Sequence, residues 1–145
     1  MQHLILIDDD REEDQISLEK ALAAAGVLNE ALTVSDGAEA LRYLKGEAPY
    51  SNRSQYPFPS IMFLDLRLPR VSGWDILSWI KANSKKGSSK VFIHTESLPV
   101  SEVRRIYALN ADSYLAKPIS AVEVLGLIHQ FPGPWEIRSD DDATD

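Results

Sequence analysis

Apolar positions along the chain change period in a regular way. Leu4 to Ile7 are four consecutive apolar residues halted by acids, which suits a short strand covered on both faces. From about Asp14 a helical stripe of Ile16, Leu18, Ala21, Leu22 and Ala25 follows, and Gly26 ends it. Residues 31–34 (ALTV) read as a second strand, and Asp36 can cap a helix over GAEALRYLK that Gly46 closes. Ile61 to Leu64 is a third strand. Ser72 or Gly73 opens a helix carrying Trp74, Ile76, Leu77 and Ile80, which fades in NSKKGSSK. Residues 90–95 (KVFIHT) are a fourth strand. Ser101 is the expected cap of a helix reaching about Asn110, with Val103, Ile106, Tyr107 and Leu109 as its apolar residues. Ser113 to Ala116 is a fifth strand. Ser120 caps a last helix whose apolar residues are Val122, Leu125, Ile128 and Phe131, stopped by PGP at 132–134.

Five strands alternating with five helices predict an α/β fold: a doubly wound, flavodoxin-like (βα)5 sandwich with a five-stranded parallel sheet and helices on both faces. Two segments fall outside this plan. Residues 46–60 are long for a helix-to-strand connection, and their prolines and aromatics (Tyr50, Tyr56, Phe58) predict an ordered loop, folded on the body or offered to a partner. Residues 132–145 form a C-terminal extension containing Trp135 and an acidic end expected to be disordered.

The formal net charge of −7 is unevenly placed. Residues 8–14 carry six acids and one arginine, residues 136–145 five acids and one arginine, and the rest of the chain is nearly neutral. Absence of cysteine excludes disulfide frameworks, cysteine nucleophiles and cysteine metal sites. No apolar run approaches a membrane span and no signal-peptide pattern opens the chain, so a cytoplasmic protein is expected. The acidity argues against a nucleic-acid surface.

In an open parallel sheet, working side chains gather at the carboxyl ends of the strands. Strand one ends in Asp8, Asp9 and Asp10, strand three in Asp65, strand four in Thr95, and strand five is followed by Lys117. With strand order 2-1-3-4-5 these converge. Clustered carboxylates require a cation, and oxygen ligands suit Mg²⁺. Asp65 can then serve as ligand and nucleophile toward a phosphoryl group, with Lys117 neutralising charge and Thr95 donating a hydrogen bond to a phosphoryl oxygen. Pro118 after Lys117 sets where the lysine points.

These residues resemble the receiver domain of two-component response regulators. The resemblance spans about residues 3–131 and rests on the Asp8–Asp9 pair, Asp65 in FLDLRLPRVSG, Pro69, Gly73, Thr95, Tyr114 and Lys117–Pro118. It implies phosphoryl transfer from a histidine kinase onto Asp65, with metal bound by Asp8, Asp9, Asp65 and the backbone carbonyl of Arg67. It further implies a switch in which phosphorylation draws in Thr95 and Tyr114 turns inward. The signalling or homodimer face would be the fourth helix, fifth strand and fifth helix, where Arg104, Arg105, Tyr107 and Asn110 lie near Tyr114, or the C-terminal extension. Among subtypes, the long loop and the shortness of the chain after Phe131 resemble the small stand-alone regulators paired with bacterial phytochrome histidine kinases. Output by protein contact, including relay to a phosphotransfer protein, is then expected rather than an appended output domain. Glu96 departs from the small residue usual after the switch threonine and bears on the phosphorylation rate.

Three other readings are weaker. In a haloacid-dehalogenase-like phosphatase Asp8 would be the nucleophile and Asp10 the acid, but no later acidic pair follows Lys117 and Asp65 is left idle. A flavodoxin-type carrier would want Ser, Thr and Gly after strand one, where DDDREED stands. A pseudo-receiver binding module, independent of phosphorylation, would lack the acidic pair or Asp65.

Overall fold

The computed structural model describes residues 3–139. The chain alternates without exception as β1 (Ile5–Asp8), α1 (Glu12–Ala24), β2 (Ala31–Val34), α2 (Gly37–Lys45), β3 (Ile61–Leu64), α3 (Gly73–Ala82), β4 (Lys90–Thr95), α4 (Val100–Ala108), β5 (Ser113–Ala116) and α5 (Ala121–Gln130). All strand pairs are parallel and the sheet order is β2-β1-β3-β4-β5. Ile5 lies beside Ala31 and Ile61, and Ile61 beside Lys90, so β1, β3 and β4 start level and their carboxyl ends share one rim.

Period-two alternation divides the core into two layers. Leu4, Leu6, Met62, Leu64, Val91 and Ile93 face α2, α3 and α4, meeting Tyr43, Leu44, Ile76, Leu77, Ile80 and Ile106. Ile5, Ile7, Ile61, Phe63 and Phe92 face α1 and α5, meeting Leu18, Leu22, Val124 and Leu127. The central strands are apolar on both faces because both faces are covered, so continuous apolar runs such as IMFL mark them.

Helix registers correct several expectations. In α1, Leu18, Ala21, Leu22 and Ala25 follow the helical repeat and are buried, while Ile16 falls off that stripe and is 43% exposed. In α5 the stripe turned inward is Val124 and Leu127, with Ile128 and Phe131 packed against it; Val122 and Leu125 stay exposed. That helix is apolar on more than one face, so tertiary packing and not period selects the buried one. Helix α4 starts at Val100, with Pro99 in place of the expected Ser101 at its cap; the Pro99 carbonyl accepts from the N–H groups of Glu102 and Val103. Asp36, Ser72 and Ser120 do cap their helices, the last two through reciprocal capping boxes.

Both irregular segments pack on the body. In the 46–60 loop, the rings of Tyr50 and Tyr56 lie 4.9 and 6.2 Å from that of Tyr43, whose hydroxyl donates to the Pro57 carbonyl. Arg53 donates to the carbonyls of Leu44 and Tyr56. In the extension, Trp135 stacks on Phe92 at 6.1 Å and Ile137 forms an antiparallel bridge with Val27. The acidic end expected to be disordered, residues 140–145, lies outside the described residues. No helix among the described residues is long and apolar enough to cross a membrane.

Gly73 holds the rim closed. A Cβ there would stand 2.3 Å from the Asp65 carbonyl oxygen and 2.7 Å from the Leu66 Cα, both backbone atoms that cannot swing aside. In α5, by contrast, a Cβ on Gly126 would meet nothing within 4 Å. Gly73→Ala should therefore cost about 3 kcal/mol by overpacking, whereas Gly126→Ala should stabilise by about 0.5–1 kcal/mol through helix propensity. Urea unfolding of the two variants checks both signs.

Candidate functional site

The rim at the carboxyl ends of β1, β3, β4 and β5 gathers most of the residues expected from sequence. Asp65 follows β3 and is 5% exposed. Its Oδ1 accepts from the Thr95 hydroxyl at 2.6 Å and the Arg67 N–H at 3.0 Å, and its Oδ2 accepts from the Lys117 ammonium at 2.6 Å. Lys117 reaches in from the end of β5, across a cis bond to Pro118, and also pairs with Asp9 at 2.8 Å and Asp14 at 3.0 Å. Asp9 is kept in place by the Arg11 N–H on its Oδ1 and by Gln15, which donates to its backbone carbonyl at 2.6 Å.

Electrostatics follow from this wiring. Burial alone would raise the Asp65 pKa, but the Arg67 N–H, the Lys117 ammonium and the Thr95 hydroxyl outweigh it and hold the carboxyl below its usual range. Asp65 is thus an anion at neutral pH. For Lys117, burial works against the charge, and hydrogen bonds to Asp65, Asp9 and Asp14 overcome it, so its pKa is raised. Asp9 is raised by burial, with Lys117 and the Arg11 N–H opposing.

Asp8 is different. It is the last residue of β1, 1% exposed, and neither carboxylate oxygen has a hydrogen-bond partner among the described residues. Burial, with Asp36 and Asp9 adding repulsion, pushes its pKa up to about 9. The tight carboxylate group consists of Asp9, Asp10 and Asp65, with one oxygen from each lying within 4.8 Å of the others. Asp10, one of the converging strand-end acids but absent from the metal set that the resemblance implies, is therefore part of the cluster, while Asp8 is not. Asp14, to which the sequence assigned no part in the site, also contacts Lys117. Because α1 begins at Glu12, Asp14 falls in its first turn over the rim, and helix propensity carries no signal for that side chain's direction.

Buried acids, one of them without a hydrogen-bond partner and keeping its proton when no cation is bound, fit a hard divalent cation that would displace that proton. Asp9, Asp10 and Asp65 can each offer an oxygen, and the Arg67 carbonyl receives no hydrogen bond among the described residues. Thr95 is fully buried and Tyr114 half-buried. Thr95 donates to Asp65, and the Tyr114 hydroxyl accepts from the Leu98 N–H at 3.0 Å while donating to the Glu96 carbonyl at 3.2 Å. The Glu96 side chain is exposed, and Arg11 at the same mouth feels Glu13, Asp14 and, less strongly, Glu96.

The model of the response regulator receiver domain matches residues 5–129. The chain belongs to that family. A probable methanogenesis regulatory protein, FilR2 of Methanothrix harundinacea, is 30% identical to this receiver domain over 91% of the chain and 83% of its own length. The phosphorylated cyanobacterial phytochrome response regulator RcpA is 26% identical, with a TM-score of 0.78 over 96% of this chain and 100% of RcpA. The Mn²⁺-bound response regulator Rcp1 is 25% identical, also with a TM-score of 0.78, over 94% of this chain and 99% of Rcp1. The phosphatase alternative falls. Asp8, its nucleophile, lies outside the tight carboxylate group and has no hydrogen-bond partner among the described residues, whereas Asp65 stands at the centre of the hydrogen bonds.

Replacing the Asp8 carboxyl by an amide should stabilise the metal-free protein. The folded state keeps the Asp8 proton to about pH 9 whereas the unfolded chain releases it near 3.8, so this residue's contribution to stability declines as pH rises between those values. Asp8→Asn should raise stability in EDTA at pH 8 by on the order of 1–3 kcal/mol and flatten that pH dependence. Thermal melts of both proteins, with EDTA and with saturating Mg²⁺, check this; a lower melting temperature for the variant in EDTA would contradict it.

Proposed function

We propose that this receiver domain accepts a phosphoryl group from a histidine kinase phosphohistidine onto Asp65. The observation that carries the reading is Asp65 itself, a buried carboxylate kept ionised by Lys117, Thr95 and the Arg67 N–H. An Asp65 oxygen attacks phosphorus in line, the P–N bond of the phosphohistidine breaks, and the imidazole leaves with the electron pair. Lys117 then faces the charge on the equatorial oxygens, and the Thr95 hydroxyl passes from the carboxylate to a phosphoryl oxygen. Asp9, Asp10 and Asp65, with the Arg67 carbonyl and the buried Asp8, would hold Mg²⁺, which supplies neutralisation of the phosphoryl charge when bound. The structural likeness to Mn²⁺-bound Rcp1 supports a divalent cation at this position.

The likeness to RcpA supports a phytochrome as the sensor partner. We place the receiver unit at residues 1–131, with residues 132–145 as a C-terminal extension whose Trp135 and Ile137 pack on it. The output contact falls on the face shared by α4, β5 and α5, where Val100, Tyr107, Val122 and Leu125 are exposed. A homodimer through that face or the extension, or docking of a phosphotransfer protein, would cover these apolar side chains. Thr95 and Tyr114 link it to Asp65, since Tyr114 holds the loop that follows Thr95.

Incubation with acetyl phosphate and Mg²⁺ should add the mass of one phosphoryl group, and Asp65→Asn should abolish the addition. Thr95→Ala should slow it by about 10²-fold, the loss of one preorganised donor. Intact-protein mass spectrometry checks all three; phosphoryl uptake that survives Asp65→Asn contradicts the assignment.

A further inference from the structure

At the end of the sheet opposite the carboxylate rim, the C-terminal extension borders an open cavity of about 500 Å³. Its walls include His3, Ser60, Ser88, Lys90, Phe131 and the 132–134 turn, so part of it lies beyond the residues that match the family. Asn29 ties the walls together, its side-chain amide donating to the His3 carbonyl at 2.7 Å and the Pro134 carbonyl at 3.0 Å. The Glu136 N–H in turn donates to the Asn29 side-chain oxygen at 2.7 Å. Behind the turn, Phe131 and Trp135 both pack on Phe92. The cavity is preformed, and its size is in the range of small-molecule sites.

Its chemistry is that of an anion site with a flat apolar wall. The Lys90 ammonium lies 5.5 Å from the centre of the Phe131 ring and makes no ion pair among the described residues. Among the described residues no acidic side chain lines the cavity. His3 uses Nδ1 toward Ser60 Oγ at 2.9 Å, which leaves its other ring nitrogen for a ligand. A second basic cavity, beside Lys45, Arg53 and Lys85, is a poorer candidate. There Arg53 is spent on two backbone carbonyls, and Lys45 and Lys85 sit at the carboxyl ends of α2 and α3, whose dipoles already answer their charge.

We propose that the Lys90–Phe131 cavity binds a small aromatic carboxylate, with its ring against Phe131 and Pro134 and its carboxylate on Lys90. The site is independent of Asp65 chemistry, since Lys90 and Thr95 occupy opposite ends of β4.

Amide nitrogen–proton NMR spectra of the full chain, titrated with benzoate, test this. Saturable shifts are expected at Ser88, Gln130 and Gly133. Benzamide, which keeps the shape and lacks the charge, should bind about tenfold more weakly, as should benzoate to Lys90→Gln. Ser88→Glu, a change at an exposed rim position that leaves Lys90 in place, should weaken benzoate by a similar factor, and Lys85→Gln should leave it unchanged. Absence of saturation at tens of millimolar, equal binding of benzamide, or undiminished binding by both the Lys90 and Ser88 variants would overturn the proposal.

Discussion

One buried ammonium organises this molecule. Lys117 has little access to water and stands among Asp9, Asp14 and Asp65, which come from the loop after β1, the first turn of α1 and the end of β3. Each partner is tolerable out of water only because of the others: a lysine buried alone would lose its proton, and the acids alone would repel. The network therefore requires β1, β3 and β5 to end at one rim. Gly73 permits the close backbone approach behind Asp65, and the level register of β1, β3 and β4 supplies the rest. Asp8 and Asp10 exceed what one lysine can neutralise. Asp10 brings further negative charge and Asp8 a proton that a cation would displace, so the rim is a cation site and can receive a dianionic phosphoryl group once a cation is present.

The fold was largely legible because its signals are redundant. Continuous apolar runs ended by acids marked β1 and β3, and the polar residues at their ends pointed to the site before any contact was known. Capping residues Asp36, Ser72 and Ser120 marked helix starts through hydrogen bonds local in sequence. What was not legible depended on packing between distant elements. Val122 and Leu125 look as suited to burial as Val124 and Leu127, and only the position of α5 against the sheet decides between them. Likewise, nothing in DDDREED distinguishes the buried Asp8 from the exposed Asp10, because the face each side chain takes is set by the last residue of β1 and the turn that follows.

The two segments outside the repeating plan are structural parts of the domain. The 46–60 loop supplies tyrosines that pack with Tyr43 on the α2 side, and the extension supplies Trp135 on the α1–α5 side. Aromatic rings thereby run along the second core layer from His94 through Phe63 and Phe92 to Trp135. His94 belongs to this layer: burial, with the nearby Lys117 charge, holds its pKa down to about 4, so it is a neutral core residue at physiological pH.

If Lys117 and the cation draw on the same carboxylates, removing the ammonium must free them. Isothermal titration of Mg²⁺ into the unphosphorylated Lys117→Met protein tests this most directly, with circular dichroism confirming the fold. The account predicts binding tighter than in the natural chain by about tenfold, equivalent to about 1.4 kcal/mol. Binding that is unchanged or weaker would contradict it, because the lysine and the metal would then not share Asp9 and Asp65.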